Sequence, residues 1–206
     1  MSGKGSERSP GPHGPHPRKG LDARVRRSRD ALGGALIALM QEKPFDAITV
    51  QDVLDRAGVS RSTFYQHFSD KDDLFTSDTD EFFEWVSTAL SFHGDRSDRV
   101  VPVREFFTHV AGMRGYIAAL IESGRAHQTF ELARGHFARG IERRLGELPR
   151  ARGIAPEERR VMAIAYAGAL VSLLDWWIGR GMDQSPAALD ELFHRMVWSG
   201  VASPEG

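Results

Sequence analysis

The fold is decided by residues Ile48–Phe75, ITVQDVLDRAGVSRSTFYQHFSDKDDLF, which predict two short helices around a tight turn and the start of a third helix. Thr49 precedes an apolar-periodic run and is followed three residues later by Asp52, as in a capping box. Gly58 allows the positive φ that ends this helix, and Ser60 can cap the next one. The pattern predicts a helix-turn-helix motif.

The second of these helices has a polar outer face. Phe64 and Phe68 are four residues apart, so they share the buried face. At about 100° per residue, polar side chains fall on the opposite side, where short hydrogen-bond donors suit base edges and phosphates. This outward set is Arg61, Ser62, Thr63, Tyr65 and Gln66. Lys71, in the first turn of the third helix, opposes the helix dipole, which a neighbouring DNA phosphate would explain.

The same stretch resembles the DNA-binding domain of the TetR family of transcriptional regulators. The matching residues are Thr49-Val50, Ala57-Gly58-Val59-Ser60, Thr63-Phe64-Tyr65, His67-Phe68, Lys71 and Leu74. The resemblance covers about a quarter of the chain, and it is specific because many residue types stand at fixed spacing. One departure is Leu54, where many members of the family carry alanine.

The resemblance also assigns roles to individual residues. It implies DNA contacts at Ser62, Thr63 and Tyr65, and phosphate contacts at Thr49, His67 and Lys71. Together with the outward set, it predicts base-edge contacts at Arg61, Ser62, Thr63 and Gln66. It predicts phosphate contacts at Thr49, Tyr65, His67 and Lys71, with Ser60 at the start of the recognition helix. The alternative is a helix-turn-helix that serves only for packing.

Composition limits the chemistry of the chain. It has no cysteine, which excludes disulfides and thiolate metal sites. It has no glycine-rich phosphate loop, His-Glu-x-x-His pair or Gly-x-Ser-x-Gly elbow, so we expect no enzyme, cofactor or metal site. The N-terminus lacks an apolar signal segment, and the longest uncharged apolar run, Val161–Leu174, is shorter than the ~18 residues of a membrane span. We therefore expect a soluble, cytoplasmic protein.

Charge is unevenly distributed along the chain. Residues 1–71 hold 12 Lys and Arg against 8 Asp and Glu, whereas residues 72–206 hold 15 against 20. The part with the helix-turn-helix is thus the basic one, as counterion release from DNA would favour. It includes a candidate DNA arm, Arg24, Arg26 and Arg27. These arginines either contact phosphates or the minor groove, or form a solvated basic face.

Hydrophobic periodicity predicts an all-α protein with about nine helices. Residues 1–20 are rich in Gly and Pro without apolar periodicity, so we expect a disordered tail. A three-helix DNA-binding domain is expected over residues 21–71. A larger helical bundle, for effector binding and dimerisation, is expected over residues 72–206.

The last two helices indicate a homodimer. The helix that begins at Pro156 is apolar on nearly its whole circumference, so it needs a partner on two sides. One side on its own core and one on a second copy would form a two-fold four-helix interface, as the resemblance also implies. The alternative is a monomer that buries both sides internally. The expected interface residues are Leu170, Leu173, Leu174, Trp177, Leu189, Leu192, Phe193, Met196 and Val197.

The resemblance implies that the larger domain binds a small molecule and thereby releases DNA. Aromatic and adaptable side chains are candidates to line a pocket for a hydrophobic or aromatic effector, although such side chains are more often core. These candidates are Phe82, Trp85, Phe106, His109, Met113, Tyr116, Phe130, Phe137, Tyr166 and Trp176. The expected function is a ligand-responsive, sequence-specific repressor on a palindromic operator. The alternative is a DNA-tethered protein-interaction module without an effector, which a body without a cavity would favour.

Overall fold

The computed structural model describes residues 23–92 and 94–199, and the tail expected at residues 1–20 lies outside them. Across this described part the chain forms nine α-helices and no strand, which confirms the all-α prediction. The helices are α1 Ala23–Met40, α2 Val50–Ala57, α3 Arg61–Tyr65, α4 Lys71–Phe92, α5 Val103–Gly112, α6 Arg114–Glu122, α7 Ala126–Glu147, α8 Pro156–Gly179 and α9 Pro186–Ser199. Two 3₁₀ turns, Phe45–Ala47 and Pro149–Ala151, precede α2 and α8.

Residue contacts divide the chain into two compact units, Met1–Asp78 and Thr79–Gly206. The boundary falls inside α4, whereas the sequence placed it at the start of that helix. The difference arises because the first turns of α4 belong to the core of the first unit. Phe75 of α4 is buried there and meets Phe45 edge to face, with 5.7 Å between the ring centroids.

The first unit is built around the buried faces of α1, α2 and α3. Leu32, Val53 and Phe64, one from each helix, are fully buried. Phe68 is also buried, so the expected shared face of the two phenylalanines is confirmed. Burial of this kind contributes roughly 1.5–3 kcal/mol for each large apolar side chain. The three helices therefore hold the tight turn between α2 and α3 on a rigid support.

The second unit is organised around α7, which packs along α8, while α5 packs against α9. Phe83, Phe106 and Phe137 form an aromatic cluster with ring centroids 5.1–6.1 Å apart. Gly140 of α7 allows a close approach to α4, because a Cβ at this position would lie 2.4 Å from the Ser87 carbonyl oxygen. A small residue here sets the spacing of the two helices.

The apolar helix α8 has two different faces. By length and composition it could cross a membrane, with a mean hydropathy of 1.7 over an 18-residue window, but the core helix of a soluble protein passes the same test. Six side chains are buried in the protomer: Ala163, Ala167, Leu170, Val171, Leu174 and Trp177. Only 33% of that window is buried, however, so an apolar outer face remains.

Candidate functional site

Reciprocal hydrogen bonds fix the start of α2. Thr49 Oγ1 accepts from the Asp52 amide at 3.1 Å, and the Asp52 carboxylate accepts from the Thr49 amide at 2.7 Å, which confirms the predicted capping box. Lys43 pairs with the same carboxylate at 2.8 Å. Hydrogen bonds from Lys43 and Thr49 hold the pKa of Asp52 well below its usual value. The carboxylate is therefore ionised at neutral pH, and the cap is complete.

The turn between α2 and α3 has the predicted chemistry. Gly58 adopts φ +65° and ψ +31°, and its amide donates to the Leu54 carbonyl at the end of α2. Ser60 then caps α3, where its Oγ accepts from the Thr63 amide at 3.3 Å. Because α3 is only five residues long, Gln66 lies at its C-cap, with a backbone that is still helical.

The polar residues expected to contact DNA form one outward surface. Ser60 Oγ lies 3.1 Å from Ser62 Oγ and 2.8 Å from Thr63 Oγ1, so three hydroxyls cluster at the start of α3. The Arg61 guanidinium lies over the Tyr65 ring, 5.7 Å from its centroid. The exposed members are Thr49, Ser60, Arg61, Ser62, Tyr65 and Gln66, and the half-buried ones are Thr63 and His67. This surface offers short-reach donors on a rigid element, as base and phosphate recognition requires.

Lys71 and the arginines of the candidate arm lie outside the surface formed by α3. The Lys71 ammonium donates hydrogen bonds to the carbonyl oxygens of the turn before α2. We expected this side chain beside a DNA phosphate, but in the structure its donors meet acceptors of the protein itself. Within the candidate arm, Arg26 is half-buried and Arg27 is exposed. The side chain of Arg24 lies outside the described part of the structure.

Known proteins share this domain. Residues 34–77 match the family described as "Bacterial regulatory proteins, tetR family". The matched domain is a DNA-binding domain of the TetR family. The chain is a transcriptional regulator of the TetR type with a DNA-binding domain, and its family and fold are those of transcriptional regulators.

Individual relatives of this TetR-family protein extend the match. The uncharacterised HTH-type regulator YxbF of Bacillus subtilis is 37% identical over 57 residues, which are 27% of this chain and 15% of that protein. An uncharacterised HTH-type transcriptional regulator of Haemophilus influenzae is 25% identical over 175 residues, 82% of this chain and 84% of that protein. The structure of the fatty acid degradation regulator FadR from Bacillus halodurans has the same fold, with a TM-score of 0.60 and 18% identity over 87% of this chain and 96% of that one.

The second unit of the TetR-family protein contains a cavity of about 720 Å³ between α4, α5 and the loop that joins them. Its apolar wall is formed by Trp85, Val86, Ala89, Leu90, Pro102 and Phe106. Its polar side is formed by Asp95, Arg99, Arg104, Glu105, Thr108 and His109. The volume and the mixture of apolar wall and polar rim are those of a small-molecule site.

The cavity contains three of the ten residues predicted for an effector pocket: Trp85, Phe106 and His109. Phe82 stacks on His109, with 5.0 Å between the ring centroids. Phe137 is buried in the core and Trp176 is exposed on α8. The lining of this cavity does not include the other predicted residues, Met113, Tyr116, Phe130 and Tyr166.

The loop at the rim of the cavity is held from α7 by a buried arginine. The Arg144 guanidinium donates to the carbonyl oxygens of Asp95 at 2.7 Å, Ser97 at 2.8 Å and Arg99 at 3.0 Å. Three carbonyls on one guanidinium satisfy most of its donors, which allows the charge to be buried. Sequence reasoning did not identify this residue.

The same loop is held on its other side by α9. Trp198 Nε1 donates to the Asp98 carbonyl at 2.9 Å, and the Val100 amide donates to His194 Nε2 at 3.1 Å. His194 Nδ1 in turn lies 2.8 Å from the Asp190 carbonyl, so this ring is neutral, with its proton on Nδ1. Burial lowers the pKa of His194, which agrees with a neutral ring.

Charged groups at the rim are paired. Arg99 contacts Glu105 and also Asp190 of α9, the latter at 3.0 Å. Burial would raise the pKa of Glu105, but hydrogen bonds from Arg99 and Arg104 outweigh it and lower the pKa to about 2. The rim thus presents a network of paired charges, with a cation and an anion side by side.

One further polar cluster joins α7 to α4. His136 is buried, with Nε2 2.8 Å from Asp80 Oδ1 and Nδ1 3.1 Å from Glu84 Oε2. In residues 23–92 and 94–199, no group of three or more His, Asp or Glu side chains is arranged to hold a metal ion. The cluster is a polar contact between the two helices.

The residues predicted for the dimer interface divide into two sets. Inside the core of the protomer, each at most 3% exposed, are Leu170, Leu174, Trp177, Leu189, Phe193 and Val197. Leu173 is half-buried, whereas Leu192 and Met196 of α9 are 37% and 49% exposed. On α8 the large exposed apolar side chains are Val161, Ile164 and Trp176. These five residues are the large apolar side chains on the outer face of the two helices.

Proposed function

We propose that this TetR-family protein is a repressor that holds a palindromic operator as a homodimer and releases it when a small hydrophobic or aromatic effector binds. The observation that carries the DNA-binding half is the outward polar surface of α3, supported by the caps at Thr49 and Ser60. Since its target is DNA and its role is transcriptional, we assign it to the cytoplasm.

The proposed division of roles follows from position on this surface. Residues that project from α3 and its C-cap read base edges: Arg61, Ser62, Thr63 and Gln66. Residues at the edges of the surface hold phosphates, together with the hydroxyl of Ser60: Thr49, Tyr65 and His67. Arg26 and Arg27 remain candidates for an arm along the DNA backbone. Two copies of one recognition helix require a two-fold symmetric site, hence a palindrome.

The outer face of α8 and α9 supports the homodimer. Trp176 is 46% exposed and Met196 is 49% exposed, beside the exposed Leu192 and the half-buried Leu173. Exposed apolar groups that form a patch usually mark an interface. The proposed interface therefore uses the outer sides of the predicted helices, while their inner sides fill the protomer core.

The cavity of about 720 Å³ supports a regulator that binds an effector in its second unit. It argues against the alternative, a DNA-tethered protein-interaction module without an effector. Its wall of Trp85, Phe106 and four aliphatic residues suits an apolar or aromatic ligand. Arg99 and Glu105 at its rim suit a polar group at one end of that ligand. A compound that enters the cavity should change the fluorescence of Trp85, which gives a direct screen for effectors.

DNA binding is tested by fluorescence anisotropy with DNA from the promoter region of the protein's own gene. The expected result is binding that weakens steeply with salt and survives a scrambled competitor. Gln66→Ala should lose about 1–3 kcal/mol per half-site on the operator and relax the preference at one base position. Tyr65→Phe, which removes one exposed hydroxyl at a proposed phosphate contact, should weaken all sequences alike. If the scrambled DNA competes as well as the operator, sequence-specific recognition is wrong.

Repression itself is tested with a reporter gene placed behind the operator. Expression of the protein should lower reporter output, and a cavity-binding compound should restore it. A rise in reporter output on expression would instead make the protein an activator, because the sign depends on where the operator lies.

A further inference from the structure

Lys71 is the first residue of α4, and its ammonium group donates hydrogen bonds to three backbone carbonyls of the protein. Its Nζ lies 2.8 Å from the carbonyl oxygen of Phe45, 2.8 Å from that of Ile48 and 3.3 Å from that of Asp46. A lysine ammonium has three N–H groups, and these three carbonyls account for all of them. The same Nζ lies over the Phe45 ring, 4.6 Å from its centroid.

The three carbonyls belong to the 3₁₀ turn that leads directly into the cap of α2. The Phe45 carbonyl already accepts from the Ile48 amide at 3.0 Å, so Lys71 adds a second donor to it. The next residue is Thr49, whose side chain caps α2. The lysine thus connects the first turn of α4 to the segment that determines where α2 begins.

We propose that Lys71 is a positioning residue, which fixes the turn at residues 45–48 and thereby the placement of Thr49 and α2 on the DNA, and that it does not bind a phosphate. This inference rests on the proposed function. A phosphate could recruit the ammonium only by leaving carbonyls of the turn without their donor. Such a loss is costly for the part-buried carbonyls of Phe45 and Ile48, whereas a lysine without such acceptors would reach a phosphate freely.

Salt dependence separates the two roles. Removing a cation that contacts a phosphate lowers the slope of log K against log salt by about 0.9 for each copy on the DNA. Removing a cation that only positions the turn lowers affinity at every salt concentration and leaves the slope unchanged. A purely structural lysine would lower the unfolding temperature and leave the affinity of the folded protein unchanged.

The experiment compares the wild type with Lys71→Met, which keeps the length of the side chain, and with Lys71→Gln, a milder variant should the first fail to fold. Arg27→Ala removes an exposed cation of the arm proposed along the DNA backbone and is the matched control. For Lys71→Met we expect about a tenfold loss of operator affinity, similar to one lost contact, with the wild-type slope. Arg27→Ala should reduce the slope. We also expect faster hydrogen exchange at the Ile48 amide in Lys71→Met, because its acceptor lies in the released turn.

Two results would overturn the inference: a slope that falls in Lys71→Met as in Arg27→Ala, or an unchanged affinity of the folded variants. Wild-type protein that fails to bind any operator refutes the proposed function instead. In that case the Ile48 exchange rate still decides whether Lys71 holds the turn, since an unchanged rate in both variants excludes this role.

Discussion

The close approach of α7 and α4 predicts that Gly140→Ala destabilises the protein. A Cβ at Gly140 would lie 2.4 Å from the carbonyl oxygen and 2.9 Å from the Cβ of Ser87, whereas ordinary contacts begin at 3.4 Å. The obstacle is backbone, so α7 must move away from α4 by about 1 Å. Overpacking of this kind costs about 1–3 kcal/mol, and the higher helix propensity of alanine returns about 0.5–1 kcal/mol. The net expectation is a loss of up to about 2.5 kcal/mol, with a central value of about 1 kcal/mol.

Gly135, one and a half turns earlier in α7, is the matched control. A Cβ there would meet only Nη1 of Arg139, at an ordinary 3.5 Å. Gly135→Ala should therefore gain the helix propensity without the clash and stabilise the protein by about 0.5–1 kcal/mol.

Tryptophan fluorescence suits the measurement, because all four tryptophans, Trp85, Trp176, Trp177 and Trp198, lie in the second unit. Urea unfolding followed at these residues should show a lower midpoint for Gly140→Ala with an unchanged slope. A midpoint for Gly140→Ala at or above that of Gly135→Ala would refute the reasoning from helix spacing.

Three further predictions concern the caps, the rim loop and the interface. Thr49→Ala should destabilise the protein by about 1 kcal/mol in thermal unfolding followed by circular dichroism, and Thr49→Ser should not. Because the folded state lowers the pKa of His194, the unfolded chain protonates first, and stability should fall as pH drops below about 6.5. His194→Gln should flatten this dependence; an equally steep profile would contradict it. Trp176→Glu with Met196→Glu should yield monomers by light scattering, while Ile121→Glu, at an exposed apolar site on α6, should not.

The helix-turn-helix could be predicted from sequence because its determinants are local. The capping box joins Thr49 to Asp52, three residues away, and the Ser60 cap reaches Thr63 over the same distance. Gly58 ends α2 through its own left-handed backbone conformation, which depends on no distant residue. Interactions of this kind can be inferred from residue spacing. The exposed surface of α3 can therefore be predicted without considering the rest of the chain.

The second unit was less predictable because its determinants are remote in sequence. Arg144 contacts carbonyls 45 to 49 residues away, and Trp198 contacts one 100 residues away. Periodicity also cannot orient α8, which is apolar on nearly all sides. Leu170 and Trp177 were therefore assigned to the interface although they fill the core of the protomer. Lys71 is a further example, since its residue type alone does not reveal that its acceptors lie 23 to 26 residues earlier in the chain.

In the proposed dimer, the attachment of the rim loop to α9 links the cavity to the concentration of the protein in the cell. Asp190 and His194 of this helix hold Arg99 and Val100 in the rim loop, and Met196 of the same helix lies in the proposed interface. Under the proposed function, an effector that shifts the rim alters self-association, and self-association alters effector affinity by the same factor. The proposal therefore implies that the effector concentration needed to release the operator depends on how much of the protein a cell contains.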